Sequence, residues 1–279
     1  MTRGTLGVMT DIARYAAFTL DPAGGNPAGV VLDAAGLDDP AMQAIAADVG
    51  YSETAFVTSR DGGRFRVRYF SPQLEIPFCG HATVATAVAL GPGEHLFVTN
   101  AGDVPVLVDE SGTATLTSVD PHVADLPGDA LTALLAALRW SAADLDPELP
   151  PRVAFGGAYH PVIAVTSRER LAGLDYDVPA LRSLMTERDW TTVQLVFRAG
   201  PDTFDVRNPF PVGGVYEDPA TGAAAAALGG YLRELELVPA DAVLTLRQGD
   251  DMGRPSRITV RLDPAVSGVR VSGPAVPIG

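Results

Sequence analysis

Proton transfer needs a group whose pKa partial burial can move toward working pH, and three side chains of this sequence have settings that invite the role. Glu53, in "GYSETAF", is a single carboxylate among aromatic and apolar residues at the start of a strand-like run. A buried carboxylate costs several kcal/mol unless it is paired or used; the plainer account is an exposed strand-end residue. His81 lies in the first turn of a helical run, where the dipole disfavours its protonated form. A core histidine satisfied by backbone would look the same. Asp218, in "YEDPATG", precedes a second such run and has the position of a plain N-cap, though a cap aimed into a cleft could also do chemistry. Cys79, beside His81, is either a nucleophile activated at a helix start or a small buried residue.

These residues fall on a junction that occurs twice, as "VRYFSPQLEIPFCGHATVATAVAL" (67–90) and "VRNPFPVGGVYEDPATGAAAAALGGYL" (206–232). In each copy an arginine, Arg68 or Arg207, is followed by a Pro-containing loop, a glycine-bearing turn and a run of small apolar residues. The two arginines are read as braces of their loops, and Glu75 and Glu217 are not distinguishable from solvated loop charges. An uncapped helix start offers free N–H groups and the positive end of a dipole to an anion. Glycine and small residues at Gly80 and Ala82, and at Gly222 and Ala223, permit close approach. With no cationic side chain at either turn, a substrate carboxylate fits better than a phosphate. The competing account is that the glycines serve helix packing.

The runs 80–90 and 221–232 are apolar or small on every face, which marks helices buried all round. Strand-like segments surround both. "RFRVRYF" and "ETAFVTS" alternate across the "RDGG" turn, and "GGNPAG" reads as the turn between two earlier strands. Asp39 is read as the cap of a helix ending at Gly50. Three late strands follow each central helix. The expected fold is therefore α+β, with two pseudo-symmetric lobes, each a barrel-like sheet around one apolar helix. The segment 120–128 breaks periodicity, which divides the chain into residues 1–122 and 123–265, with the last strand, about 266–279, crossing back to the first lobe.

Composition narrows the chemistry. The 279 residues are 47% hydrophobic and 19% charged, a globular balance, and no stretch approaches the roughly 20 apolar residues of a membrane span. The N-terminus has no apolar h-region, so we expect a cytoplasmic protein whose start is Met1 or Met9. A net charge of −14 opposes nucleic acid and anionic membranes as partners. All 20 basic residues are Arg, so there is no lysine Schiff base and no Walker A lysine. One cysteine excludes an intrachain disulfide and a two-thiol acid/base pair within the chain. The four histidines are scattered in sequence, and no metal site is expected. Carboxylate, imidazole and backbone chemistry remain.

The segments "GNPAGVV", "SETAF", "RYFSPQLEIPFCGHAT", "YEDPATGAA" and "QGDDMGRPSRI" together resemble the PhzF family of phenazine-biosynthesis isomerases, from about Ile12 to Gly273. The resemblance implies a diaminopimelate epimerase-like fold with the site between two lobes, a dimer, and a cofactor-free isomerase. It places the acid/base glutamate on Glu53, the family's His and Asp on His81 and Asp218, and the carboxylate-holding turns on Gly80 and Gly222. It further implies proton transfer on a small carboxylic acid, like the isomerisation of trans-2,3-dihydro-3-hydroxyanthranilate. One departure is Ala223, where many phenazine enzymes carry Ser. Alternatives on the same residues are an amino-acid racemase or epimerase, and a ligand-binding protein that has lost catalysis.

Overall fold

The computed structural model describes residues 11–279; the possible start at Met9 lies outside them. The first half runs β1 (Ala13–Ala17), β2 (Asn26–Val31), α1 (Asp39–Val49), β3 (Glu53–Asp61), β4 (Arg64–Phe70), β5 (Glu75–Ile76), α2 (Gly80–Leu90), β6 (Gly93–Thr99), β7 (Gly102–Val108) and β8 (Thr113–Thr117). The second half runs β9 (His122–Asp125), α3 (Gly128–Leu138), β10 (Arg152–Phe155), β11 (Tyr159–Ala164), α4 (Arg168–Ala172), α5 (Val178–Glu187), β12 (Gln194–Arg198), β13 (Thr203–Pro209), β14 (Glu217–Asp218), α6 (Gly222–Glu234), β15 (Val243–Gln248), β16 (Ser256–Arg261) and β17 (Arg270–Pro277).

Pairing closes the first lobe into an eight-strand ring, β1–β2–β3–β4–β6–β7–β8–β17 and back to β1. α2 fills it. Seven consecutive residues of α2, His81 to Ala87, are buried, and none is larger than His. The narrow side chains let strands approach from every direction, as a helix without a polar face requires. In the second lobe β9 to β13, β15, β16 and the start of β17 curve around α6 in the same way. Here the residues from Ala224 to Leu232 are all buried. Two barrel-like lobes around two central helices are what the sequence pattern required.

β17 lies between β16 and β8 at Arg270–Ser272, then runs on beside β1. β9 follows β8 directly and opens the second lobe by pairing with β10. Residues 122–125, read from sequence as part of an aperiodic break, are thus a strand. Four mostly exposed residues give too short a pattern to show, and their partner lies about thirty positions ahead. Two smaller differences are local. The α1 cap is Asp38, whose carboxylate accepts from Ala41 N–H at 3.0 Å, one residue before the expected Asp39. The turn between β1 and β2 ends at Gly25, and Asn26–Val31 is already strand.

Candidate functional site between the two helix starts

α2 and α6 point their N-termini at each other. A β-carbon on Gly80 would lie 3.7 Å from the Gly222 Cα, and one on Gly222 would lie 3.9 Å from the Gly80 Cα. Any larger residue at either position would fill the space between them. Neither helix has a side-chain cap or an acidic residue in its first turn. Two positive dipole ends therefore meet with no carboxylate in either first turn, a setting that favours an anion. Gly80 and Ala223 are half-buried and Gly222 is buried. Ala82 is fully enclosed and, contrary to the expectation for it, offers no accessible surface to a ligand.

Around this junction the structure brings together the three proton-transfer candidates. Glu53 begins β3, and its Oε2 lies 3.3 Å from His81 Nε2. Its side chain retains 12% exposure against 7% for His81, so the carboxylate is the member turned toward solvent. Ser52 Oγ also lies 3.3 Å from Nε2. Burial holds His81 below the ordinary histidine pKa, partly opposed by the Glu53 charge, which keeps the ring neutral near pH 7.

Asp218 is not the plain helix cap its position suggested. Its Oδ2 accepts from the Thr221 hydroxyl at 2.5 Å and its Oδ1 from Asn26 Nδ2 at 2.8 Å. Burial pushes its pKa up to about 7, against the lowering effect of those two donors. Gln248 completes the frame by donating to the Asp218 carbonyl at 2.7 Å and accepting from Thr221 N–H at 3.1 Å.

Cys79 is the N-cap residue of α2, with its Sγ 3.4 Å from His81 Nδ1. Together Glu53, Cys79 and His81 place three kinds of metal-ligating atom within 4.8 Å, a convergence that sequence spacing did not show. Burial raises the thiol well above its ordinary pKa. A metal takes the thiolate, so this sulfur suits a small buried residue better than a ligand. Arg68 and Arg207 brace their loops, as expected, each through a carboxylate of the adjoining two-residue strand: Arg68 to Glu75 and Arg207 to Glu217.

Asn26 and Gln248 are the site residues that sequence reasoning missed. Both belong to the quoted family segments, "GNPAGVV" and "QGDDMGRPSRI", and both are at most 1% exposed. A polar amide directly followed by Pro or Gly reads as turn chemistry, which hid their burial.

Comparison with known proteins gives the family and the fold. Residues 15–279 match the PhzC-PhzF family of phenazine biosynthesis-like proteins. The chain belongs to that family. An uncharacterized isomerase of Mesorhizobium japonicum is 36% identical over 95% of both chains. The trans-2,3-dihydro-3-hydroxyanthranilate isomerase of Pseudomonas aeruginosa is 32% identical, covering 92% of this chain and 93% of its own. The crystal structure of a PhzF-family phenazine biosynthesis protein from Bacillus anthracis superposes with a TM-score of 0.85 at 29% identity, covering 96% of each chain. A protein described as a probable proline racemase, from Agrobacterium radiobacter, and a hydroxyproline epimerase from Agrobacterium vitis share the diaminopimelate epimerase-like fold at TM-scores of 0.66 and 0.64 and only 12% and 14% identity, covering 96% of this chain and 91% and 90% of their own. The chain is an isomerase of the PhzF family. None of its described helices is long and apolar enough to cross a membrane.

Proposed function

We propose that this isomerase works without a cofactor by moving one proton within a small carboxylic acid, with Glu53 as the group that carries it. The observation that supports this most directly is the placement of one largely buried carboxylate beside a neutral His81, at the meeting point of two uncapped helix starts. The substrate carboxylate would lie between the N–H groups of Gly80, Gly222 and Ala223. Because the chain is strongly negative overall, this anion is attracted by local dipoles and opposed by the long-range field.

In the reaction, Glu53 Oε takes a proton from an acidified carbon as the C–H bond breaks. Its electron pair shifts the neighbouring double bond, and the protonated Glu53, its proton exchanging with water, delivers a proton to a different carbon. Substrate and product differ only in the positions of one hydrogen and one double bond, so no oxidant or leaving group is involved. His81 and Asp218 hold the hydroxyl and amino substituents. Asp218, poised near neutrality, can accept or donate a hydrogen bond there. A substrate like that of the Pseudomonas relative, trans-2,3-dihydro-3-hydroxyanthranilate, has the required carboxylate. A swap of protons between two thiols is not open to a chain with Cys79 alone.

The test is incubation in D2O with dihydrohydroxyanthranilate and a panel of amino acids. We expect deuterium on a ring carbon of the product, and its loss in Glu53→Gln. No deuterium in any compound, or full turnover in Glu53→Gln, would overturn the assignment; inversion of a stereocentre without bond migration would point to the racemase reading. The proposal takes residues 1–122 with 266–279 as one wall of the cleft and 123–265 as the other. It places the protein in the cytoplasm as a homodimer, and a monomer mass by light scattering would count against the dimer.

A further inference from the structure

Asn26 connects the two halves of the site. Its Nδ2 lies 2.8 Å from Asp218 Oδ1, 3.0 Å from the Ala220 carbonyl and 3.1 Å from His81 Nδ1. The Ala220 carbonyl can only accept, which fixes the amide nitrogen on this side. That nitrogen has two N–H groups for three neighbours and no free lone pair. His81 Nδ1, which also lies 3.4 Å from Cys79 Sγ, therefore meets a group that cannot accept a ring N–H, while Nε2 meets the acceptor Glu53 Oε2 at 3.3 Å. The ring proton is left on Nε2, aimed at Glu53 and Ser52. We propose that Asn26 is a positioning residue that holds His81 in the Nε2–H tautomer while it orients Asp218. A neutral ring donating from Nε2 stabilises the Glu53 carboxylate without adding charge, so a base that must be ionised to take a proton has a donor in place.

The second lobe sets where Asn26 stands. Arg254 donates from Nε to the Gly25 carbonyl at 2.9 Å and from Nη2 to the Gly24 carbonyl at 2.8 Å. In return Gly25 N–H donates to the Pro255 carbonyl at 3.1 Å. Gly25 has φ +64°, and a β-carbon there would lie 2.4 Å from the Ala17 carbonyl oxygen, so glycine is required directly before Asn26. The loop carrying Arg254 begins at Gly249, next to the Gln248 that braces Asp218. One strap, residues 248–255, thus holds the second-lobe carboxylate and the first-lobe amide in register. The segment "QGDDMGRPSRI" has in this strap a physical task that the proton-transfer residues alone do not give it.

This inference rests on the site proposed above, but its test needs no substrate and no turnover. In protein with 15N-labelled histidine at neutral pH, long-range 1H–15N correlation should show His81 as the Nε2–H tautomer. Asn26→Ala should shift it toward the Nδ1–H form, with His160 in the second-lobe core unchanged as the control for folding. Arg254→Met, which leaves Asn26 in place, should produce the same change in smaller degree. An Nδ1–H tautomer in the unaltered protein, or an unchanged His81 in both variants, would overturn the proposal. If Asn26→Ala does not fold, the unaltered protein and Arg254→Met decide it between them. Where turnover is measurable, Asn26→Ala should lose at least about 10²-fold in kcat with little change in KM, as loss of a tautomer-fixing partner does elsewhere. Failure of the Glu53 chemistry would leave the tautomer result standing.

Discussion

The two helix-start junctions share a brace and differ in everything that titrates. In the first, Arg68 binds both oxygens of Glu75, at 2.6 and 2.7 Å, and also Asp39. In the second, Arg207 binds both oxygens of Glu217 and adds the carbonyls of Leu171 and Ala172. Each carboxylate stands on a two-residue strand laid against the strand that carries its arginine. The first pair is partly solvated, with side chains 19% and 27% exposed; the second is enclosed, at 9% and 2%. Past the braces the likeness ends. The first junction places Cys79 and His81 at its helix start and has Glu53 alongside, whereas the second has Thr221, Ala223 and the buried Asp218. A repeated scaffold thus supplies two equivalent helix-start dipoles, and under the proposed function the unequal side chains make the space between them a one-base site.

The most direct way to break the comparison is to remove that base. Glu53→Gln keeps the shape and the contact to His81, and turnover should fall about 10²- to 10⁴-fold, the usual weight of a positioned general base, as read from kcat on the deuterium-exchange substrate. The braces come next. Glu217→Gln takes the close counter-charge from the buried Arg207 guanidinium, leaving it the Leu171 and Ala172 carbonyls and Asp251 at 3.9 Å, and should cost about 3 kcal/mol, whereas Glu75→Gln in the partly solvated pair should cost about 1 kcal/mol or less. Urea unfolding of both variants checks this, and equal losses would show that the two braces are not differently buried in solution.

Much of this architecture was legible in the chain. The small-residue run 80–90 is α2 residue for residue, because an all-apolar helix between Gly80 and Gly91 has no other reading, and the alternation around "RDGG" gave β3 and β4. The clustering of Glu53, His81 and Asp218 followed once both helix starts were set facing one cleft. What stayed hidden was held by distance. Asn26 meets His81 and Asp218 across 55 and 192 positions, and no local pattern distinguishes a buried asparagine before proline from a turn. The pairing of β9 with β10 is equally hidden, since four residues are too few to show a side-chain period.

Acid and base should act on the two regions in opposite directions. His160 in the second-lobe core accepts or donates only to Thr192, at 2.8 Å, and burial lowers its pKa to about 4. A histidine depressed on folding contributes stability that is full above its unfolded pKa of about 6.5 and lost as pH falls toward 4. That loss amounts to a few kcal/mol, and His160→Leu should flatten the acid side of a Tm-against-pH curve. Asp218 carries the opposite sign. Its pKa is raised to about 7 by burial, so its contribution is complete below the unfolded carboxylate pKa and lost as pH rises through 7. Asp218→Asn should therefore be more stable than the parent at pH 8 and gain nothing at pH 4, while turnover loses an ionisation near 7. A difference between the two proteins that is the same at both pH values would contradict a raised Asp218 pKa.

The smallest change addresses the asymmetry at its mildest point. Ala223 is the counterpart of His81, one residue into the second helix and half-buried against the cleft. Ala223→Ser adds one hydroxyl there with no room problem, since a polar group at a free helix start can use its N–H groups or water. Stability should move by less than about 0.5 kcal/mol. A ligand carboxylate between the helix starts would gain one further donor, worth about 0.5–1.5 kcal/mol, or roughly a twofold to tenfold lower KM. The substitution makes the second junction more polar without giving it a titrating group, so kcat should hold while KM falls. If neither constant moved, Ala223 would not face the ligand, and the anion would be held by the first helix start alone.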